Sequence, residues 1–398
     1  MNKKIIKYSI LAALIMLNSI CGINAQLSEE AKISIITGSP GHELYSTFGH
    51  TAIRILDSEN DFDIVFSYGT FDFNTPFFYW KFARGSLNYK LTMETYESFY
   101  ADYKRDQRSL IEQELNISLA EKNTIFNALF TNAKPENREY KYHFFFDNCA
   151  TRVRDMIAEN ITCTLHYPEH EYIGVMTFRT AIAKYLVEKP WTKFGLDLIL
   201  GQPTDDLVDE KTVQFLPEYL KEQFSKAKRV EGGFYMVSNS NSLLTVEKHF
   251  NRAIKVNPLV VLIIICVIVL LISRYDFRKK KCSFWVDFIL FVSVGLLGLL
   301  IVFLWFFTSH TVTGPNWNIL WANPLLILFL FFKSYNKFYT YMFILILTCL
   351  VVCLCFFATF NQYIPPILAP VWVMLIVRVF LRFSEVRHIH VKFKRVRK

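Results

Sequence analysis

The 398-residue chain has no internal repeat and no low-complexity tract, which excludes a solenoid or an array of small modules. Cysteine is scarce outside its apolar runs. Of eight, Cys21 lies near the N-terminus, and Cys266, Cys282, Cys349, Cys353 and Cys355 fall in or beside apolar stretches, where cysteine serves as a small hydrophobe. Only Cys149 and Cys163 remain, so the rest of the chain can hold at most one disulfide. Lysine and arginine are absent from two polar segments in the apolar half, 309–317 and 361–366. The net charge of +9 is no nucleic-acid footprint, because its excess flanks the apolar runs at Arg278, Lys279, Lys280 and Lys281 and in the tail. No metal and no cofactor is expected.

Hydrophobic residues make up 52% of the chain, and the excess lies after Asn257. The first 25 residues read as a secretory signal peptide: Lys3, Lys4 and Lys7, a short apolar core from Tyr8 to Leu17, then Ile23-Asn24-Ala25 at the cut. Residues 26–225 read as a mixed α/β exported domain. Strands are expected at 31–36, 51–56 and 63–68, and helices from Thr92 to about Ser109, from Ser118 to Ala133, from Asn148 to Glu159 and over 178–186. A linker rich in turn formers is expected over 226–257. Five apolar stretches follow, at 258–273, 284–307, 319–332, 338–360 and 363–380, each near the ~20 residues a bilayer helix needs. With the exported domain outside, every basic loop and the basic tail, 386–398, fall on the cytoplasmic side of a bacterial inner membrane. The membrane domain then covers 258–385, and a lipid bilayer is the first partner implied.

One stretch carries the chemistry. Tyr142 to Phe146 is an aromatic run ending in Asp147-Asn148, and a helical pattern begins at Cys149. A cysteine in the first turn sits where unpaired N–H groups and the helix dipole favour a thiolate, so a lowered pKa is expected. His50, at the mouth of a strand, is the expected base, with His42 a competitor. Ser67, Tyr68 and Asp72 are alternatives for a third member orienting the imidazole, and Asn148 could support an oxyanion. The polar segment holding His310, Asn316 and Asn318 is a candidate lipid or substrate contact, beside the simpler reading of helix–helix hydrogen bonding that also covers Asn323. A cysteine on a helix start facing a strand histidine is papain-like. With histidine first in sequence it matches the circularly permuted order of the NlpC/P60 group. The expected fold is therefore α+β: a permuted papain-like domain followed by a five-span helical membrane domain.

Four stretches resemble the periplasmic domain of the Lnb family, bacterial lipoprotein N-acyltransferases. They are 41–54 (GHELYSTFGHTAIR), 68–73 (YGTFDF), 147–152 (DNCATR), and Leu200-Gly201 with Phe215-Leu216-Pro217. The resemblance implies a cysteine nucleophile and a histidine, carried onto Cys149 and His50. It implies transfer of an acyl chain from a phospholipid donor, through a Cys149 thioester, to the α-amine of a diacylated lipoprotein. Two other readings stand beside it: a membrane-anchored hydrolase, either lipid esterase or cell-wall peptidase, and a non-enzymatic envelope module with a Cys149–Cys163 disulfide.

Overall fold

A computed structural model describes residues 26–247, 256–332 and 334–396; the expected signal peptide lies outside them. Strands β1 (Lys32–Gly38), β2 (His50–Asp57) and β3 (Phe62–Thr70) form where alternation predicts them, and β2 and β3 meet at the polar turn. With β4 (Asn88–Thr95), β5 (Leu110–Leu115), β6 (Glu139–Lys141) and β9 (Val237–Leu244) they build one antiparallel sheet in the order β6-β4-β3-β2-β1-β5-β9. A separate two-stranded ribbon pairs β7 (Leu165–His166) with β8 (Lys228–Arg229).

Two expectations fail here. The helix expected from Thr92 begins later: Thr92 belongs to β4, and helix α2 (Tyr96–Arg105) is capped by Thr95, whose hydroxyl accepts the Ser98 N–H. Strands are also missed at β5 and at the edge strand β9, the latter inside the expected linker. The run Val-Ser-Asn-Ser-Asn-Ser reads as turn by composition. It forms a strand because the open edge of β5 offers its unpaired backbone groups a partner.

The sheet has two buried faces. Ile33, Ile35, Ile53, Ile55 and Phe66 pack against α3 (Leu119–Ala133), α4 (Cys149–Ala158) and α7 (Pro217–Lys226). Ile36, Ala52, Val65 and Leu110 pack against Phe99 and Tyr103 of α2. Each of these side chains contributes about 1.5–3 kcal/mol by leaving water. Shorter helices are α1 (Phe78–Ala83), α5 (Phe178–Ala183) and α6 (Pro190–Ile199).

The apolar half holds α8 (Pro258–Lys279), α9 (Phe284–Phe306), α10 (Leu325–Phe331), α11 (Lys337–Phe356) and α12 (Ala369–Val396). Four helical segments are long and apolar enough to cross a membrane: 258–279, 284–306, 337–359 and 366–390. The third expected span is not among them. Pro324 cannot continue the turn starting at Trp317, so the segment divides into a 3₁₀ turn (Trp317–Leu320) and the seven-residue α10. At the end of the bundle far from the sheet, the fully buried Arg378 binds Asp287 at 2.6 Å and Asp276 at 2.7 Å. A charge so deep in an apolar bundle persists only when paired this closely.

Ser118 caps α3 with Glu121 as its reciprocal partner, as the sequence predicts. Tertiary structure adds Arg229, whose guanidinium reaches Glu121 at 2.7 Å and 3.0 Å, and Thr162, which donates from both N–H and hydroxyl. Burial alone would raise the Glu121 pKa, but Arg229 and the N–H donors outweigh it and hold the carboxyl far below its ordinary 4.5. The stability this confers is complete above that value and is lost as pH falls through the folded pKa. We expect Arg229→Met to cost about 3–5 kcal/mol at pH 7. In chemical denaturation of the full chain in detergent, the gap from wild type should narrow as pH drops below 4.5.

Candidate active site

The segment 147–152 folds as a self-contained unit. Asn148 Oδ1 accepts from the Ala150 and Thr151 N–H groups at 2.8 and 2.9 Å, and Thr151 Oγ1 accepts the Asn148 N–H at 2.8 Å. Asp147 grips Arg152 with two bonds, and Arg152 lies 3.5 Å from the Tyr140 ring centre. Asn148 Nδ2 donates to the Phe144 and Phe215 carbonyls. Every polar atom of the Asn148 side chain is thus spent holding the helix start. The side chain has no donor left for an oxyanion, and its role is positioning.

Cys149 occupies the first position of α4 and is buried. The backbone N–H groups of Thr51, Ala150 and Cys149 itself lie close enough to its sulfur to favour the thiolate. Burial dominates nonetheless and pushes the thiol pKa up, against the expected lowering. The magnitudes explain why. A helix terminus contributes about 0.3–1 kcal/mol, whereas full burial can shift a group by 3–5 units at ~1.4 kcal/mol each. The resting group is a neutral thiol surrounded by donors suited to a developing negative charge.

His50 adjoins Thr51, whose N–H favours the Cys149 thiolate, and it pairs across the sheet with Gly38. A Cβ on Gly38 would overlap the Tyr103 ring, so Tyr103 rests against the backbone on the side to which His50 projects. Burial, reinforced by the Arg108 charge, depresses the His50 pKa to about 4. The imidazole is neutral at pH 7, the form a general base requires. Gly69 takes φ +88°, where a side chain is strained, and a Cβ there would stand 3.6 Å from that of Cys149 and 3.3 Å from the Tyr142 ring. The glycine is what allows β3 to pass so near the thiol.

Of the other named residues, only Ser67 shares the face to which His50 projects. Tyr68 donates to Asn132 Oδ1 at 2.6 Å. Asp72 is exposed and accepts the Asn74 N–H in its own turn. Ser67 is buried with its hydroxyl unpartnered, on the Ala52 face of the sheet. His42 gives its carbonyl to Lys189. Cys149 and Cys163 are both free thiols at opposite ends of α4, which removes the disulfide reading. Two residues escaped the sequence reading. Tyr103 and Arg108 stack at 4.5 Å, and the charge of Arg108 acts on both His50 and Cys149. Arg108 is nearly buried, and its Nη2 has no partner. The one signal was a cation just before a strand, hidden while that stretch read as helix.

His310, Asn316 and Asn318 tie the two halves together. Asn316 Nδ2 donates to Leu198 O at 2.9 Å, Asn318 Nδ2 to the same carbonyl at 3.1 Å, and Gln362 Nε2 to Leu200 O at 3.3 Å. Both asparagines are buried with their amides engaged, so they are unavailable to lipid. His310 sits against Gly85 and bonds the Phe82 carbonyl. Gly201 donates to Val312 O, and a Cβ there would strike the Pro315 carbonyl.

Residues 25–183 match the model of the Lnb N-terminal periplasmic domain, and residues 249–388 that of the Lnb transmembrane domain. The chain belongs to the Lnb family. No curated protein and no solved structure matches it. The sheet domain is accordingly the Lnb periplasmic domain, and the hydrogen bonds above dock it on one end of the membrane helices.

We expect Arg108→Met to raise the His50 pKa from about 4 toward 6.5, since one of its two depressing causes is gone. Carbethoxylation of neutral imidazole followed by peptide mapping checks this. Reactivity at His50 should persist to about pH 4 in wild type and fade at higher pH in the variant. Gly69→Ala should change the rate of Cys149 alkylation, because a side chain at φ +88° strains β3 where it passes the thiol.

Proposed function

We propose that this Lnb protein is a lipoprotein N-acyltransferase working through a Cys149 thioester. The observation carrying this reading is the buried thiol, ringed by backbone donors, in a domain bonded to the membrane helices. In the first step His50 takes the thiol proton as Sγ attacks the ester carbonyl of a phospholipid. The Cys149 N–H and the Arg108 charge stabilise the oxyanion. The lysophospholipid alkoxide leaves with the proton from His50, and the thioester remains. In the second step the free α-amine of a diacylglyceryl-cysteine lipoprotein attacks the thioester. His50 takes the amine proton, the thiol is regenerated, and an amide forms. Neutral thiol and neutral imidazole suit this order, in which proton transfer accompanies attack.

We read the periplasmic domain as permuted papain-like, with the histidine strand preceding the nucleophile helix. We also read the short third segment as a fifth pass. Support comes from its two ends: Asn316 and Asn318 bond the periplasmic domain, while Leu330 O accepts from Arg382, one turn beyond the buried Arg378 cluster. Five passes put the basic tail on the cytoplasmic side of the inner membrane. Both substrates are lipid-anchored, so docking the site on the bundle replaces a diffusive encounter with a positioned one.

Intact mass of a reporter lipoprotein's N-terminal peptide tests the reading. A third acyl chain should appear with wild type and Cys163→Ala, and be absent with Cys149→Ala and reduced at least 100-fold with His50→Ala. A free fatty acid released at the wild-type rate without a triacylated product would make the enzyme a hydrolase.

A further inference from the structure

Helix α1 buries none of its six residues, although five of them are Phe78, Tyr79, Trp80, Phe82 and Ala83. With Phe73 and Phe77 it makes an aromatic ridge whose most exposed rings are 53–81% accessible. Phe77 even takes φ +58°, an uncommon conformation for a bulky residue, and leaves its ring in the open. A soluble surface rarely carries a contiguous apolar patch like this without a partner.

Both ends of the ridge lead somewhere. At one end Trp80 packs on Phe303 at 5.6 Å, in the last turn of α9, where Phe306 and Phe307 are themselves exposed. The ridge is therefore continuous with the apolar outer surface of the membrane bundle, at the level where aromatic side chains gather. Lys81 and Arg84 stand beside it, with Arg84 over the Trp80 ring. At the other end Phe73 and Phe78 meet Phe71 at 5.0 and 5.7 Å, and Phe71 meets Tyr89 at 5.4 Å. Tyr89 stacks on Tyr142 at 4.5 Å, and Tyr142 borders Gly69, the residue beside Cys149. Ring follows ring from the membrane end of α9 to the thiol.

We propose that this ridge seats one acyl chain of a membrane phospholipid, with its ester end at Cys149 and its tail lying along the rings back toward the bilayer. An acyl chain is the occupant that fits. The surface is aromatic and apolar along its length and begins on the outer side of a membrane helix. The end point rests on the reading of Cys149 as the nucleophile; the lipid contact does not.

The test uses the full chain in nanodiscs holding phospholipid with a photoreactive diazirine at the acyl terminus, or on the headgroup in a parallel sample. After irradiation, adducts are mapped by mass spectrometry. Lipid labelled at the acyl terminus should mark residues 73–82, and headgroup-labelled lipid should mark the Tyr142 region. The double variant Phe73→Ser, Phe77→Asn changes two exposed side chains and keeps a residue tolerant of positive φ. It should cut labelling near Tyr142 and reporter triacylation at least tenfold, with alkylation of Cys149 by iodoacetamide unchanged. Adducts confined to the membrane helices would overturn the proposal, as would an equal loss of iodoacetamide reactivity, which marks a structural role. Ridge labelling together with normal triacylation by Cys149→Ala would keep the lipid seat and overturn its end point.

Discussion

The structure depends on a small set of buried hydrogen bonds between two surfaces of different solvent character. Asn316, Asn318 and Gln362 spend their amides on the carbonyls of Leu198 and Leu200. Those carbonyls are presented by a segment that Arg179 braces, through Asp205 and the carbonyls of Leu200 and Gly201. Each such bond contributes only about 1 kcal/mol net, but leaving any of these groups unpaired would cost more. The geometry is therefore nearly all-or-none: the periplasmic domain either sits fully on the bundle or exposes a row of unmet carbonyls and amides. A site whose substrates are held in a bilayer gains most from such a junction, because it sets the height of Cys149 above the membrane.

At the site, two opposed effects act on one sulfur. Burial favours the thiol, and the Thr51, Ala150 and Cys149 N–H groups with the Arg108 charge favour the thiolate. Burial wins at rest. The donors oppose burial without outweighing it, and a buried neutral thiol is shielded from oxidation. Burial, reinforced by the same Arg108, keeps His50 unprotonated. One guanidinium thus lowers the pKa of both side chains.

Much of this was legible in the chain. The capping sequences at Ser118 and Asn148, the alternation of β2 and β3 and the positions of four long apolar helices are local patterns, and local patterns survive folding when the core agrees with them. Strand β9 was not legible, because a run of serine and asparagine is extended only when a neighbouring strand offers its edge. The third apolar segment misled only in its continuity, for the opposite reason. Its composition suits a span, but Pro324 divides it, and hydropathy alone does not register a backbone break.

The sequence by itself determined that a cysteine would stand at a helix start, that a histidine would open a strand, and that the second half would be apolar helices flanked by cations. Those properties depend on neighbours a few residues away. Only the tertiary structure decided the resting charge of the site, the part played by Tyr103 and Arg108, and the use of Asn316 and Asn318 as docking groups. These depend on burial and on partners up to 120 residues distant, as Asn318 is from Leu198. Desolvation and long-range pairing belong to the packed chain, and no window of sequence contains them.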